Sequence, residues 1–207
     1  SADASTTAGE ADADAKGASI DGAQLGDLSI GGVGTVTGSA NFAAAANAAN
    51  VTGGFLNAAN ANAAVTSVDG LDSLAGDGID VSSDAGIQGL AQLGNSAAAS
   101  TTKGASTATA DVEDLQGADL DALEVGGVAS VTGQVSLTNA ASSSNVESGT
   151  STAVAQLGDL NNNVSQIDGL FTSNNAVTSG ESGVEVSSDG TLTGLSSISN
   201  SASAAST

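Results

Sequence analysis

Residues 1–51 align with residues 96–146 without a gap, and 23 of the 51 pairs are identical. An internal repeat constrains a fold more than local propensity does, because equivalent segments must share a conformation and pack in equivalent places. The best-matched part sets Leu28-Ser-Ile-Gly-Gly-Val-Gly-Thr-Val-Thr-Gly38 against Leu123-Glu-Val-Gly-Gly-Val-Ala-Ser-Val-Thr-Gly133. Further along, the offset changes from 95 to 105, and residues 78–102 match residues 183–207 at 12 of 25 positions. There Gly78-Ile-Asp-Val-Ser-Ser-Asp84 faces Gly183-Val-Glu-Val-Ser-Ser-Asp189. The change of offset places an insertion between Val146 and Gly183, where Asn161-Asn-Asn163 and Ser173-Asn-Asn175 read as loop tips.

One string punctuates the repeats. Ser1 to Thr7 reads S-A-D-A-S-T-T, Ser96 to Thr102 reads S-A-A-A-S-T-T, and Ser201 to Thr207 reads S-A-S-A-A-S-T. The expected organisation follows from this seam: a flexible acidic arm over 1–18, a β-rich repeat over 19–95, an inter-repeat seam over 96–110, and a second β-rich repeat over 111–207. Because the arm is short, polar and poor in apolar residues, it is expected to order only on contact with a neighbour.

Within each repeat the pattern is that of strands. Val131, Val135 and Leu137 keep period-two spacing, as do Val184 and Val186. The run from Gly183 to Gly194 reads as a β-hairpin with Asp189-Gly190 at its turn, and Gly31-Gly32 and Gly126-Gly127 mark bulges or tight bends. Ala43 to Ala49 has high helix propensity, but its aligned counterpart, Thr138 to Ser144, is a poor helix sequence. Equivalent segments share one conformation, so both are expected to be strand or extended loop. The predicted class is all-β: two tandem homologous repeats forming a β-sandwich or a β-solenoid-like stack.

Composition narrows what such a fold can do. The only aromatics are Phe42, Phe55 and Phe171, so Val, Leu, Ile and Ala must build the core. Complete absence of Pro suits a chain whose sheet edges are also paired, and edges are normally blunted with Lys or Pro, both nearly lacking here. Asp and Glu number 23 against two Lys, Lys16 and Lys103, for a formal charge of −21. This balance excludes nucleic acid as a partner, and no stretch approaches the roughly 20 apolar residues of a membrane span. With no His, Cys or Tyr, most general bases, thiol nucleophiles and transition-metal ligands are gone, and the Gly-rich strings lack the lysine of a phosphate loop. The expectation is therefore no enzyme, no catalytic or cofactor-binding residues and no small-molecule substrate.

Calcium is the one cofactor the residues suggest. Asp69, Asp72, Asp77, Asp80 and Asp84 lie close in sequence, and hard cations take carboxylate and carbonyl oxygens. Gly76-Asp-Gly-Ile-Asp80 resembles the calcium-binding nonapeptide of β-roll proteins, without the tandem array. The candidate ligands are Asp77, Asp80 and Asp84, with Glu185 and Asp189 at equivalent places in repeat two; turn capping by Asp is the competing explanation. A chain starting on Ser fits secretory cleavage after a small residue, and the lack of oxidisable Cys and Met fits an extracellular location. The leading expectation is a secreted structural subunit whose partners are copies of itself. It would join head to tail at Ser1, Thr7, Ser96, Thr102, Ser201 and Thr207 into a filament, tube or sheath, by strand stacking or by donation of the 1–18 arm. The rival is a calcium-binding repeat module of a larger surface adhesin.

Overall fold

The computed structural model describes residues 1–7, 9–26, 28–50, 58–73, 78–120, 122–157, 167–172, 183–186 and 189–207. The described chain is nearly all strand, with no helix. In chain order the strands are β1 (Ala2–Thr6), β2 (Glu10–Asp21), β3 (Gln24–Leu25), β4 (Leu28–Ile30), β5 (Gly34–Asn50), β6 (Ala58–Ser73) and β7 (Gly78–Val81). There follow β8 (Ala85–Leu120), β9 (Ala122–Val125), β10 (Ala129–Leu157), β11 (Ile167–Thr172), β12 (Gly183–Val186) and β13 (Gly190–Ser206).

Among the described residues no strand pairs with the next strand in sequence, and the ladders run parallel. Parallel neighbours need a long crossover, which here is the rest of one circuit of the chain. One layer, the back, stacks β5 on residues 85–101 of β8, these on residues 129–145 of β10, and these on β13. The other layer, the front, stacks β2 on β6 and β6 on residues 105–119 of β8, with residues 148–157 of β10 continuing it. A small sheet, β4-β7-β9-β12, closes one end. Both β8 and β10 start in the back layer and finish in the front one. They turn the corner at Gly104 and Gly149, whose φ angles of 107° and 137° suit glycine alone.

The 95-residue offset spans two of these rungs. Gly34 pairs with Ala85 and Ala85 with Ala129, so sequence equivalents sit two strands apart in the same column. Likewise Ala85 lies two strands from Gly190, its equivalent at the 105 offset.

Three expectations are corrected. The hairpin at Asp189-Gly190 does not form: Gly183–Val186 pairs in parallel with Ala122–Val125, and Gly190–Ser206 with Ala129–Asn145. The Asp-Gly pair leads into the back layer from the side of the small sheet, a corner where the same turn chemistry serves. The 1–18 stretch is not a loose arm, since β1 pairs with β5 and β2 with β6. Ala11, Ala13 and Ala15 alternate with Asp12, Asp14 and Lys16, so one face carries only methyl groups and is buried at 7% exposure or less. Third, no antiparallel pairing of the sandwich kind occurs among the described residues. The strand reading of Ala43–Ala49 and the bends at Gly31-Gly32 and Gly126-Gly127 agree with the structure. The expected loop tips at 161–163 and 173–175 lie outside the described residues.

The core lies between front and back layers, in three compartments. Nearest the corner at Gly104 it is alanine alone, including Ala13, Ala46, Ala61, Ala97, Ala108 and Ala141. The middle holds Val65, Val68, Leu93, Val112, Leu115, Val135 and Leu137. At the far end are Leu71, Ile79, Val81, Ile87, Leu120, Leu123, Val125 and Val131. Between these last two compartments the layers meet backbone to backbone. A Cβ on Gly38 would fall on the Gly70 carbonyl oxygen, and one on Gly89 on that of Gly117. Glycine is required at this waist for close approach.

Candidate self-association interface

The stack presents two edges. β13 pairs with β10 along one side, and no described strand covers its other side over all 17 residues. At the opposite end, β1 covers only Ala46–Asn50 of β5, leaving Gly34–Ala45 with an outer edge unpaired among the described residues. An unpaired strand offers a row of N–H and C=O groups to any incoming strand. Neither β5 nor β13 carries a charge, a Pro or a register shift to blunt that offer.

Side-chain columns running down the back layer end at β13. Val36, Ile87 and Val131 are buried, but the fourth member, Leu192, is 51% exposed. Phe42, Leu93 and Leu137 lead to Ile198, which is 46% exposed. The core thus surfaces at the last strand. Gly38, Gly89, Gly133 and Gly194 form a third column.

A fourth column is polar and directional. Asn95 Nδ2 donates to Asn139 Oδ1 and Asn139 Nδ2 to Asn200 Oδ1, each at 3.0 Å. The same amides also tie the back layer to front-layer carbonyls: Asn95 to Ala63 and Asp111, Asn139 to Ala110 and Gln156, Asn200 to Ala155. Asn139 is wholly buried, so these bonds replace all its water contacts. The ladder stops at Asn95, whose Oδ1 has no partner because Ala44 occupies the next place in the column.

The seam residues fall into register. Ala2, Ala46, Ala97, Ala141 and Ala202 are successive partners, which puts the strings beginning at Ser1, Ser96 and Ser201 at one height on alternate rungs. Ser96 and Thr102 lie within β8, leading into the Gly104 corner; Thr7 leads to the corner at Gly9. Thr207 donates from its N–H to the Asn145 carbonyl at 3.3 Å, and its hydroxyl donates to the Val146 carbonyl. Asn50 and Asn145 brace two corners, donating to the carbonyls of Gly9 and Gly104. Sequence reasoning found the seam but missed the Asn column and the exposed Leu192 and Ile198. The shared Asn95 and Asn200 in the 105-offset alignment were the available signal.

Among the described residues, the acidic side chains do not gather into the expected calcium site. Asp77 lies outside the described residues. Asp80, Asp84 and Asp189 are exposed, and Asp80, Glu124 and Glu185 follow one another in register along the small sheet. Asp84 Oδ1 accepts from the Val128 N–H at 2.9 Å, and the Asp189 carbonyl accepts from the Ala129 N–H, so both serve corners. Among the described residues, no three carboxylates converge on a point where a cation would sit. Lys103 pairs with Glu147 at 2.9 Å on the surface. Asp69 is the outlier: burial, then the carboxylates of Asp114, Asp21, Asp72 and Asp119, push its pKa up to about 7, and its Oδ1 has no hydrogen-bond partner.

No protein-family model, curated protein or solved structure matches this chain.

Proposed function

We propose that this chain is a subunit of a secreted, extracellular structural assembly: a parallel β-solenoid, built of tandem sequence repeats, that stacks end to end with copies of itself into a filament, tube or sheath. The observation that carries this is β13, a 17-residue strand paired on one side only, with the last members of the core columns half-exposed along it. Apolar surface left at the end of a stack is covered by another rung. A neighbouring copy supplies one: its Gly34–Ala45 edge is open, and columns continue across the joint with Leu192 meeting Val36, Gly194 meeting Gly38 and Ile198 meeting Phe42. Over Ala46–Asn50 the neighbour already carries Ala2–Thr6, the register equivalent of Ala202–Ser206, so one of these two five-residue segments gives up its place when the joint forms along the remaining edge.

Such a contact joins two different surfaces and does not close, which makes an open fibre. Strand stacking, rather than donation of residues 1–18, is the better-supported joint, because β1 and β2 are already paired within their own chain. A net charge of −21 opposes assembly until salt screens it.

The test is a pair of substitutions, Leu192→Lys with Ile198→Lys. Both side chains face water in the single subunit, so the fold is expected to survive with unchanged circular dichroism. Electron microscopy in added salt is expected to show filaments from the unaltered chain and none from the variant. Equal assembly by both would sink the proposed joint.

A further inference from the structure

All 23 acidic residues and both lysines lie outside the four long segments of the back layer, residues 34–50, 85–101, 129–145 and 190–206; the short β1 at the layer's edge adds Asp3. Among the described residues, that face of a molecule of charge −21 therefore carries a single charged side chain, Asp3 at its edge, which accepts from the Asn47 amide at 2.8 Å. Its other outward positions are short or neutral: Thr35, Thr37 and Asn41 on β5, Gln88 and Gln92 on β8, Ser136 and Thr138 on β10. In the column Ser39, Leu90, Gln134, Leu195, the last leucine is 50% exposed. The buried positions alternate with these along each inner strand, so the outward side chains make a continuous, level surface.

We infer that this face pairs with the same face of a second copy, back to back. Size allows it. Strands of 17 residues at about 3.3 Å per residue, stacked four deep at about 4.8 Å, cover about 1,000 Å² per copy, more than the roughly 800 Å² per partner of a standard stable interface. Charge selects the occupant. Any approach through the front layer or the small sheet brings many carboxylates together, whereas back-to-back pairing meets only Asp3, at the edge of the face. With sheets about 10 Å apart, the two acidic front layers stand about 30 Å from one another, well beyond the ~10 Å screening length at 0.1 M salt. Small Ser, Thr, Ala and Gly side chains permit the close, dry sheet-on-sheet contact that long charged ones prevent. The pairing uses one patch twice and closes at two, so it adds a second ply to an end-to-end stack without being required for it.

The experiment compares the full-length chain with Gln92→Glu/Ser136→Asp on the back layer, with Thr138→Lys as an independent back-layer variant of opposite sign, and with Thr109→Asp on the front layer as a control. Mass is read in 0.5 M salt by sedimentation for soluble species and as mass per length for filaments, with circular dichroism to confirm folding. The unaltered chain and the Thr109→Asp control are expected to show two chains per particle or per axial repeat, and both back-layer variants one. One chain throughout, or two chains in the back-layer variants, overturns the inference. Failure of end-to-end growth reads differently: two-chain particles persist and no filament forms.

Discussion

At the scale of single residues, the Asn95–Asn139–Asn200 column is the polar counterpart of the core. Asn139 makes three donor contacts and receives a fourth bond from Asn95. Asn139→Ala strands the carbonyls of Ala110 and Gln156 and is expected to cost about 1–3 kcal/mol or more in denaturant unfolding, the usual penalty for buried groups left unpaired. The unpartnered Oδ1 of Asn95 gives a contrasting expectation. Ala44→Asn supplies the missing donor, whereas Ala40→Asn, equally buried on the same strand, has no column to join. The first should unfold at the higher denaturant concentration. Asp69 sets a pH dependence. Its carboxyl holds a proton up to about pH 7 when folded but only to 3.8 when unfolded, so the folded chain binds more protons between these values. Stability is then expected to fall as pH rises through that window, and Asp69→Asn to flatten the fall, as read by thermal melts at pH 5 and pH 8. A slope that survives the substitution would assign it to other carboxylates.

At the scale of elements, the glycine waist decides how close the two layers come. Gly89→Ala drives a methyl group into the Gly117 carbonyl, and overpacking of this kind costs typically 1–3 kcal/mol. Gly86→Ala, three residues earlier on the same strand, meets nothing closer than the Thr35 hydroxyl and should be nearly neutral. A melting-temperature difference between the two variants measures the closeness of the layers. This element scale is also where the sequence was most and least readable. Alternation of Val, Leu and Ala with short polar residues identifies strands, and the 95-residue offset identifies equivalent ones. The offset skips a rung, however. Residues on adjacent rungs, such as Phe42 and Leu93 or Asn41 and Gln92, share size and polarity but not identity, because a ladder needs like beside like and not the same beside the same. Asp-Gly at 189–190 misled for a related reason: a corner between layers and a hairpin turn ask for the same residues, and only the partner strand distinguishes them.

For the molecule as a whole, the acidic residues are legible by count but not by place. No sequence pattern said that four uncharged segments would gather into one face, since they are scattered from residue 34 to residue 206 and come together only through the parallel register. The expected calcium ligands show the same limit in reverse: Asp80, Asp84 and Asp189 are near in sequence or aligned, but they extend along a sheet and its corners. The charge-poor back layer, open edges and surfacing core columns all bear on association between copies. Fibre diffraction or cryo-electron microscopy of protein incubated in salt tests the central claim most directly. With four rungs to a subunit at about 4.8 Å each, end-to-end stacking predicts strands perpendicular to the fibre axis and an axial repeat of about 19 Å per subunit. Monodisperse single chains at every salt concentration, or fibres whose strands run along the axis, would contradict it.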